Sequence, residues 1–164
     1  MFRFPVFYSF LGLALWLAGL TSCGPAPEPG LPELDLQQSR AIADAAANDL
    51  IGDNPRDLLS RLDAGFHSMV SNQKEMEVVI QRMYGIYGKP LECDYKTSKS
   101  GTRVDGTWKR SKRDLFYAVK TTKYPIGKYF LKIEVVPNAQ ASLIDVAGFG
   151  FFEFKDNDIP DYLR

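Results

Sequence analysis

Histidine and cysteine are scarce in this chain: 164 residues contain one histidine, His67, and two cysteines, Cys23 and Cys93. One imidazole excludes a multi-histidine metal site, and the carboxylates do not cluster at ligand spacing along any one stretch, so no metal is implied. No Cys-x-x-Cys spacing exists to support redox chemistry or zinc binding. An excess of one charge is also missing. Twenty basic and twenty acidic side chains balance, so overall charge selects no partner. The chain contains no Gly-x-Gly-x-x-Gly, no phosphate-binding Walker loop and no Gly-x-Ser-x-Gly elbow. The commoner nucleotide-cofactor and hydrolase chemistries therefore have no foothold, and no cofactor is called for. What is present is 45% hydrophobic residues, enough for one globular domain of ordinary size.

The longest apolar run lies at the amino terminus. Phe10 to Leu20 has the length of a signal-peptide core and follows a single basic residue, Arg3. It ends in Leu20-Thr21-Ser22-Cys23, which resembles the bacterial lipoprotein signal motif of an aliphatic residue, two small residues and cysteine. The resemblance covers about the first 24 residues. It implies that residues 1–22 are a cleaved signal and that Cys23 becomes a lipid-modified first residue. It also places the remainder in the cell envelope, facing the periplasm from the outer membrane, because Gly24 stands where an aspartate often marks inner-membrane retention. The competing reading is an uncleaved transmembrane helix, which Pro5 and the short run oppose. With Cys23 acylated, Cys93 has no partner in the same chain, and a strand-like setting points to burial.

Residues 23–35 read as a lipid-anchored spacer, because every second residue from Gly24 to Gly30 is proline, which favours an extended, semi-rigid form. A domain over residues 36–154 follows, and residues 155–164 read as a solvated acidic tail. Asp35 or Ser39 can cap a first helix to about Leu50, with Ala41, Ile42, Ala45, Ala46 and Leu50 as a mostly small apolar stripe suited to close packing. Asn54 and Pro55 open a second helix to about Ala64. Asn72 with Glu75 opens the third and clearest, in which Met76, Val79, Ile80, Met83, Tyr84 and Tyr87 recur at helical spacing.

From Leu91 the hydrophobic period changes to two, so Leu91, Cys93, Tyr95 and Thr97 share a strand face. A polar stretch with Gly101 and Gly106 follows, with a short strand near Val104 to Trp108. Leu115–Thr121 and Tyr129–Val136 read as strands joined by a turn at Tyr124-Pro125-Ile126-Gly127. The last strand, Ser142 to Phe154, is apolar on both faces, which suggests a central position, and Gly148 and Gly150 suggest a bulge. Helices followed by antiparallel strands, without βαβ alternation, make an α+β class: three helices packed on a bent sheet of about four strands. This order, with Tyr87-Gly88-Lys89-Pro90-Leu91 and Val146-Ala147-Gly148-Phe149-Gly150-Phe151-Phe152, resembles the NTF2-like (cystatin-like) cone. The resemblance implies a sheet wrapped around a long helix, often with a pocket between them.

Several residues could serve such a pocket. Tyr84 and Tyr87 could offer hydroxyls to a ligand or serve as core aromatics, and Asp145 could point into the cone or lie solvated at its mouth. His67 reads as a loop residue and Cys93 as core packing. No catalytic constellation emerges. The distinctive feature is charge: residues 96–132 hold eleven basic side chains against Asp105 and Asp114 alone. Lys109, Arg110, Lys112, Arg113, Lys120 and Lys123 would form a basic surface, if they share an exposed sheet face, for anionic envelope components or an acidic protein. Otherwise such lysines keep sheet edges soluble. Nucleic acid is no expected partner outside the cytoplasm, and no pattern sets an oligomeric state. The expected function is a membrane-anchored, non-enzymatic interaction module, the alternative being a ligand binder or enzyme using the cone pocket.

Overall fold

The computed structural model describes residues 31–125, 129–138 and 143–153. The signal segment, Cys23, the Gly24–Gly30 stretch, Ile126 to Lys128, Ser142 and the acidic tail lie outside them. The described residues form an α+β unit of four helices followed by a four-stranded antiparallel sheet. The helices are α1 (Leu36–Gly52), α2 (Pro55–Ser60), α3 (Ala64–His67) and α4 (Gln73–Tyr87). The strands are β1 (Pro90–Asp105), β2 (Trp108–Thr121), β3 (Tyr129–Pro137) and β4 (Ile144–Glu153), and their order in the sheet is the chain order.

Asp35 caps α1 by accepting the Gln38 N–H at 2.8 Å, while Ser39 lies fully buried inside the helix. The helix ends at Asp53, whose left-handed φ of 56° turns its N–H back to the carbonyls of Asp49 and Leu50. Ala43, Ala46 and Ala47 are buried, and these short side chains let α1 lie across all four strands. The helix over the sheet is thus α1 and not the strongly amphipathic α4. The latter packs on α2 and buries Met76 and Ile80. Asn72 caps α4 by accepting the Glu75 N–H.

The expected second helix ends early, at Ser60, and a further short helix takes the place of the expected loop around His67. After α2 the chain extends at Arg61–Asp63 and pairs with β4: the Asp63 N–H donates to Val146 O at 2.9 Å, and the Val146 N–H to Arg61 O at 2.8 Å. Asp63 then caps α3 through Phe66 N–H. An exposed strand edge competes successfully here for backbone hydrogen bonds that would otherwise continue a helix.

Two further expectations change. The polar stretch after Ser98 is not a loop, because β1 and β2 pair without interruption to Asp105 and Trp108, joined by a turn in which Gly106 takes φ 63°. Paired charged residues replace apolar ones along that stretch, which hides the strand from hydropathy. The last strand is at the edge of the sheet, beside β3 alone, and its outer side is met at Val146 by the bridge to Leu62. Its apolar residues on both faces have separate partners: Phe149 and Phe151 join the helix-side core, while Phe152 meets Phe116 and Phe130 on the opposite face with centroids 5.9 and 6.0 Å away. A register shift falls at Ala147, just before Gly148.

Between helices and sheet the core is continuous. Leu50, Leu58, Met76, Ile80, Leu115, Leu131, Ile133, Val135 and Val146 are fully buried, with Tyr117 and Val119 all but so.

Candidate functional site

The three pocket candidates are not brought together. Tyr84 is half-buried on α4 and its hydroxyl donates to the Leu50 carbonyl, tying α4 to α1; burial, with Asp53 and Cys93 nearby, pushes its ionisation far upward. Tyr87 packs edge-on against Tyr129 at 5.2 Å and at a tilt against Phe151 at 5.4 Å. Asp145 pairs with Val136, whereas Tyr129 and Phe151 belong to the opposite end of β3 and β4. The seven residue steps from Val136 to Tyr129 put roughly 20 Å of strand between them. Partial burial raises the Asp145 carboxyl, and the Asp63 carboxylate adds to this against opposing effects of Arg110 and His67. His67 closes α3 on the same side of the molecule.

The six basic candidates do not share one free surface. Alternation along β2 separates them: Arg110, Lys112 and Lys120 point away from the helices, Lys109 and Arg113 toward the helix side. Arg113 is buried, where it donates to Glu33 Oε1 at 2.9 Å, Leu34 O at 2.6 Å and Ser98 Oγ at 3.2 Å. Lys120 pairs with Glu92 at 2.6 Å, both half-exposed, and Lys123 donates to the Gly85 carbonyl beyond the end of β2. Lys109 is exposed near the β1–β2 turn. Six of the eleven basic side chains between residues 96 and 132 meet a carboxylate: Arg103, Arg110, Lys112, Arg113, Lys120 and Lys132.

The opposite sheet face instead carries a ladder of alternating charge. Asp63 meets Arg110 at 2.6 Å, Arg110 meets Asp105 at 3.0 Å, and Asp105 meets Arg103 at 2.8 Å. Arg103 continues to Glu134, Glu134 to Lys112 at 3.0 Å, Lys112 to Asp114 at 3.1 Å, and Asp114 to Lys132 at 3.9 Å. Four acids and four bases thus alternate across β1, β2, β3 and the Arg61–Asp63 segment. Asp63, Asp114 and Glu134 are buried, a position in which carboxylates persist when each is paired. Burial works to raise Glu134, yet Lys112 and Arg103 outweigh it and hold the carboxyl down to about 2. For Asp114 burial dominates and raises it, despite Lys132 and Lys112, and the neighbouring Glu134 charge adds to the rise.

Sequence reading missed Asp63, Arg103, Glu134 and Lys132 as members of one array. The available signal was Glu134 itself, an acid inside the apolar run Ile133-Glu134-Val135-Val136. The docking of Leu31 to Leu34 was missed as well: Ser111 Oγ donates to Pro32 O, and Ser100 Oγ to Glu33 Oε1 at 2.7 Å. Cys93 lies partly buried against the core, and burial, with Asp94 and Glu92 alongside, pushes its thiol up to about 12, so it is a poor nucleophile at neutral pH. Among the described residues no three or more His, Cys, Asp or Glu side chains are placed to hold a metal ion, and no helix is long and apolar enough to cross a membrane.

Comparison of the chain with protein-family models, with curated proteins and with solved structures finds no match in any of the three.

Proposed function

We propose that this chain is a bacterial envelope lipoprotein, held to the outer membrane by acyl chains on Cys23, whose periplasm-facing domain is a non-enzymatic interaction module. The helices-then-meander order fits an NTF2-like cone, but one filled with side chains. The observation that carries the interaction reading is the continuous core between α1, α4 and the sheet, where Leu50, Ile80, Leu115, Leu131 and Ile133 are fully buried. A ligand-binding cone reserves that space for its ligand. The distance of Tyr87 from Asp145 along β3 and β4 supports a reading without a shared pocket site. Partners then meet the outer surface, and the ion-paired lysines and arginines of the sheet serve the fold more than they serve attraction of an anion.

The anchor rests on Leu20-Thr21-Ser22-Cys23. Each buried methylene contributes about 0.8 kcal/mol, so two or three acyl chains hold a domain of this size stably. In cells fed a radiolabelled fatty acid, the wild-type chain is expected to take up label and to fractionate with membranes. The Cys23→Ser variant should lose the label and accumulate uncleaved. Equal processing and equal membrane retention of that variant would refute the assignment.

A further inference from the structure

The path by which residues 31–35 leave the domain fixes which end of it faces the anchor. From the α1 cap at Asp35 the chain runs backward along the start of β2: Leu34 and Glu33 meet Arg113, and Pro32 meets Ser111. Leu31 and Pro32 then line a surface groove of about 300 Å³ together with Lys109, Arg110, Pro137 and Asn138. The direction of travel is therefore toward Trp108 and the β1–β2 turn. The same end of the sheet holds the close of β3 and the beginning of β4, where the Asn138 N–H donates to Leu143 O at 2.9 Å.

That end also carries a group of exposed apolar side chains. Trp108 is 79% exposed, Leu143 64% and Val104 54%. Val104 and Trp108 flank the Asp105-Gly106-Thr107 turn, and strand alternation sends them to opposite sides of the hairpin tip, so each side of the tip carries an exposed apolar side chain, Trp108 beside Asp105 and Val104 beside Lys109.

We propose that this end of the domain is a second membrane contact, in which Trp108, Val104 and Leu143 enter the headgroup boundary of the bilayer that holds the anchor. The proposal rests on the lipoprotein reading of Cys23. Chain length supports it: Cys23 precedes Leu31 by eight residues, which at full extension reach at most about 30 Å. The 16 residues of β1 run roughly 50 Å, so the tether is shorter than the domain and its exit end must stay near the lipid. Tryptophan is the side chain best suited to the boundary, with an apolar body and an indole N–H that finds acceptors there. Lipid is favoured over a protein partner because the tether delivers this end to a bilayer whatever else is present.

The test uses a property of the sequence. The two tryptophans are Trp16 and Trp108, and removal of residues 1–22 leaves Trp108 as the single one. The mature acylated chain is reconstituted in vesicles of phosphatidylethanolamine and phosphatidylglycerol, with or without bromine near the headgroup end of the acyl chains. Flotation reads the anchor, and Trp108 emission reads the tip. The expected result is flotation, a blue-shifted emission, loss of most of that emission to the brominated lipid, and little loss to aqueous iodide. Flotation with emission open to iodide and indifferent to bromine overturns the docking while leaving the anchor intact. Protection from iodide without bromine quenching overturns it in favour of a second copy or another protein over the tip. Failure to float, with no acyl group on Cys23, overturns the anchor and the docking together.

Discussion

Ser39 carries a hydroxyl in an apolar setting: it is fully buried within α1, and its Oγ has no hydrogen-bond partner among the described residues. A buried hydroxyl without a partner costs about 1–3 kcal/mol relative to hydration, and alanine has the higher helix propensity. Ser39→Ala is therefore expected to stabilise the protein by about 1 kcal/mol, read as a rise in the urea midpoint with unchanged slope. A fall in the midpoint would mean that Ser39 Oγ is satisfied after all. The sequence allowed Ser39 as an N-cap, where a serine hydroxyl finds a backbone N–H to accept. Asp35 holds that position because its carboxylate accepts the Gln38 N–H, leaving Ser39 one turn further in. Asp145 shows the same limit at the other extreme. Its apolar neighbours in sequence left an interior and a solvated position both open, and in the fold it is partly buried beside Asp63, because strand alternation turns it away from the helix side.

At the scale of elements, the join between α4 and β1 is the tightest crossing. Gly88 has φ 84°, and a Cβ there would stand 2.7 Å from the Lys123 backbone nitrogen and 2.9 Å from the hydroxyls of Thr121 and Thr122. Those threonines fasten the join: Thr121 Oγ1 donates to Tyr87 O at 2.6 Å, and Lys89 N–H donates to Thr122 Oγ1 at 3.0 Å. Gly88→Ala is expected to destabilise by about 2–3 kcal/mol or more, from left-handed strain and from the clash. Gly85, three residues earlier in α4, is different: a Cβ added there would meet nothing within 4 Å, so Gly85→Ala should raise stability by up to about 1 kcal/mol. Thermal melts of the two variants should move in opposite directions. Equal shifts would show that helix propensity, and not the crossing, sets the effect. The elements themselves were partly legible: α1, α4 and the first half of β1 were located from their periods, and β3, β4 and the second half of β2 from their apolar content, while the polar halves of β1 and β2 were not. The early end of the second helix was not, because its cause is the edge of β4, more than eighty residues away in the chain.

For the whole molecule, the charge ladder sets the response to acid. Glu134 is held at about 2, below the ordinary 4.5 for its side chain, so its contribution to stability is complete above that ordinary value and is lost as pH falls toward 2. Arg103 and Arg110 likewise lower Asp105, against its partial burial, and its contribution disappears on the same side. Asp114 opposes them, since burial raises it and the folded state takes up its proton the more readily. Glu134→Gln leaves Lys112 and Arg103 short of a counter-charge and is expected to cost about 3 kcal/mol at neutral pH. The difference from wild type should shrink steadily below pH 4.5, the ordinary value for this side chain, in urea titrations across pH. A constant difference would remove Glu134 from the acid response. Exposed pairs such as Lys120 with Glu92 should contribute little by comparison.

The amino-acid sequence by itself determined the α+β order, most element positions, the balance of charge and the Leu20-Thr21-Ser22-Cys23 motif, because each of these is written in neighbours or in short periods. Only the tertiary structure decided what the charges do. Arg113 with Glu33, Arg110 with Asp63 and Arg103 with Glu134 are joined across 80, 47 and 31 residues, and no local pattern records such distances. A run of basic residues could be read as a surface for an anion or as a solubilising edge, and folding pairs six of them with acids. Small alanines on α1 decided likewise which helix covers the sheet, since close approach depends on the shape of both surfaces and not on the strength of either one's period.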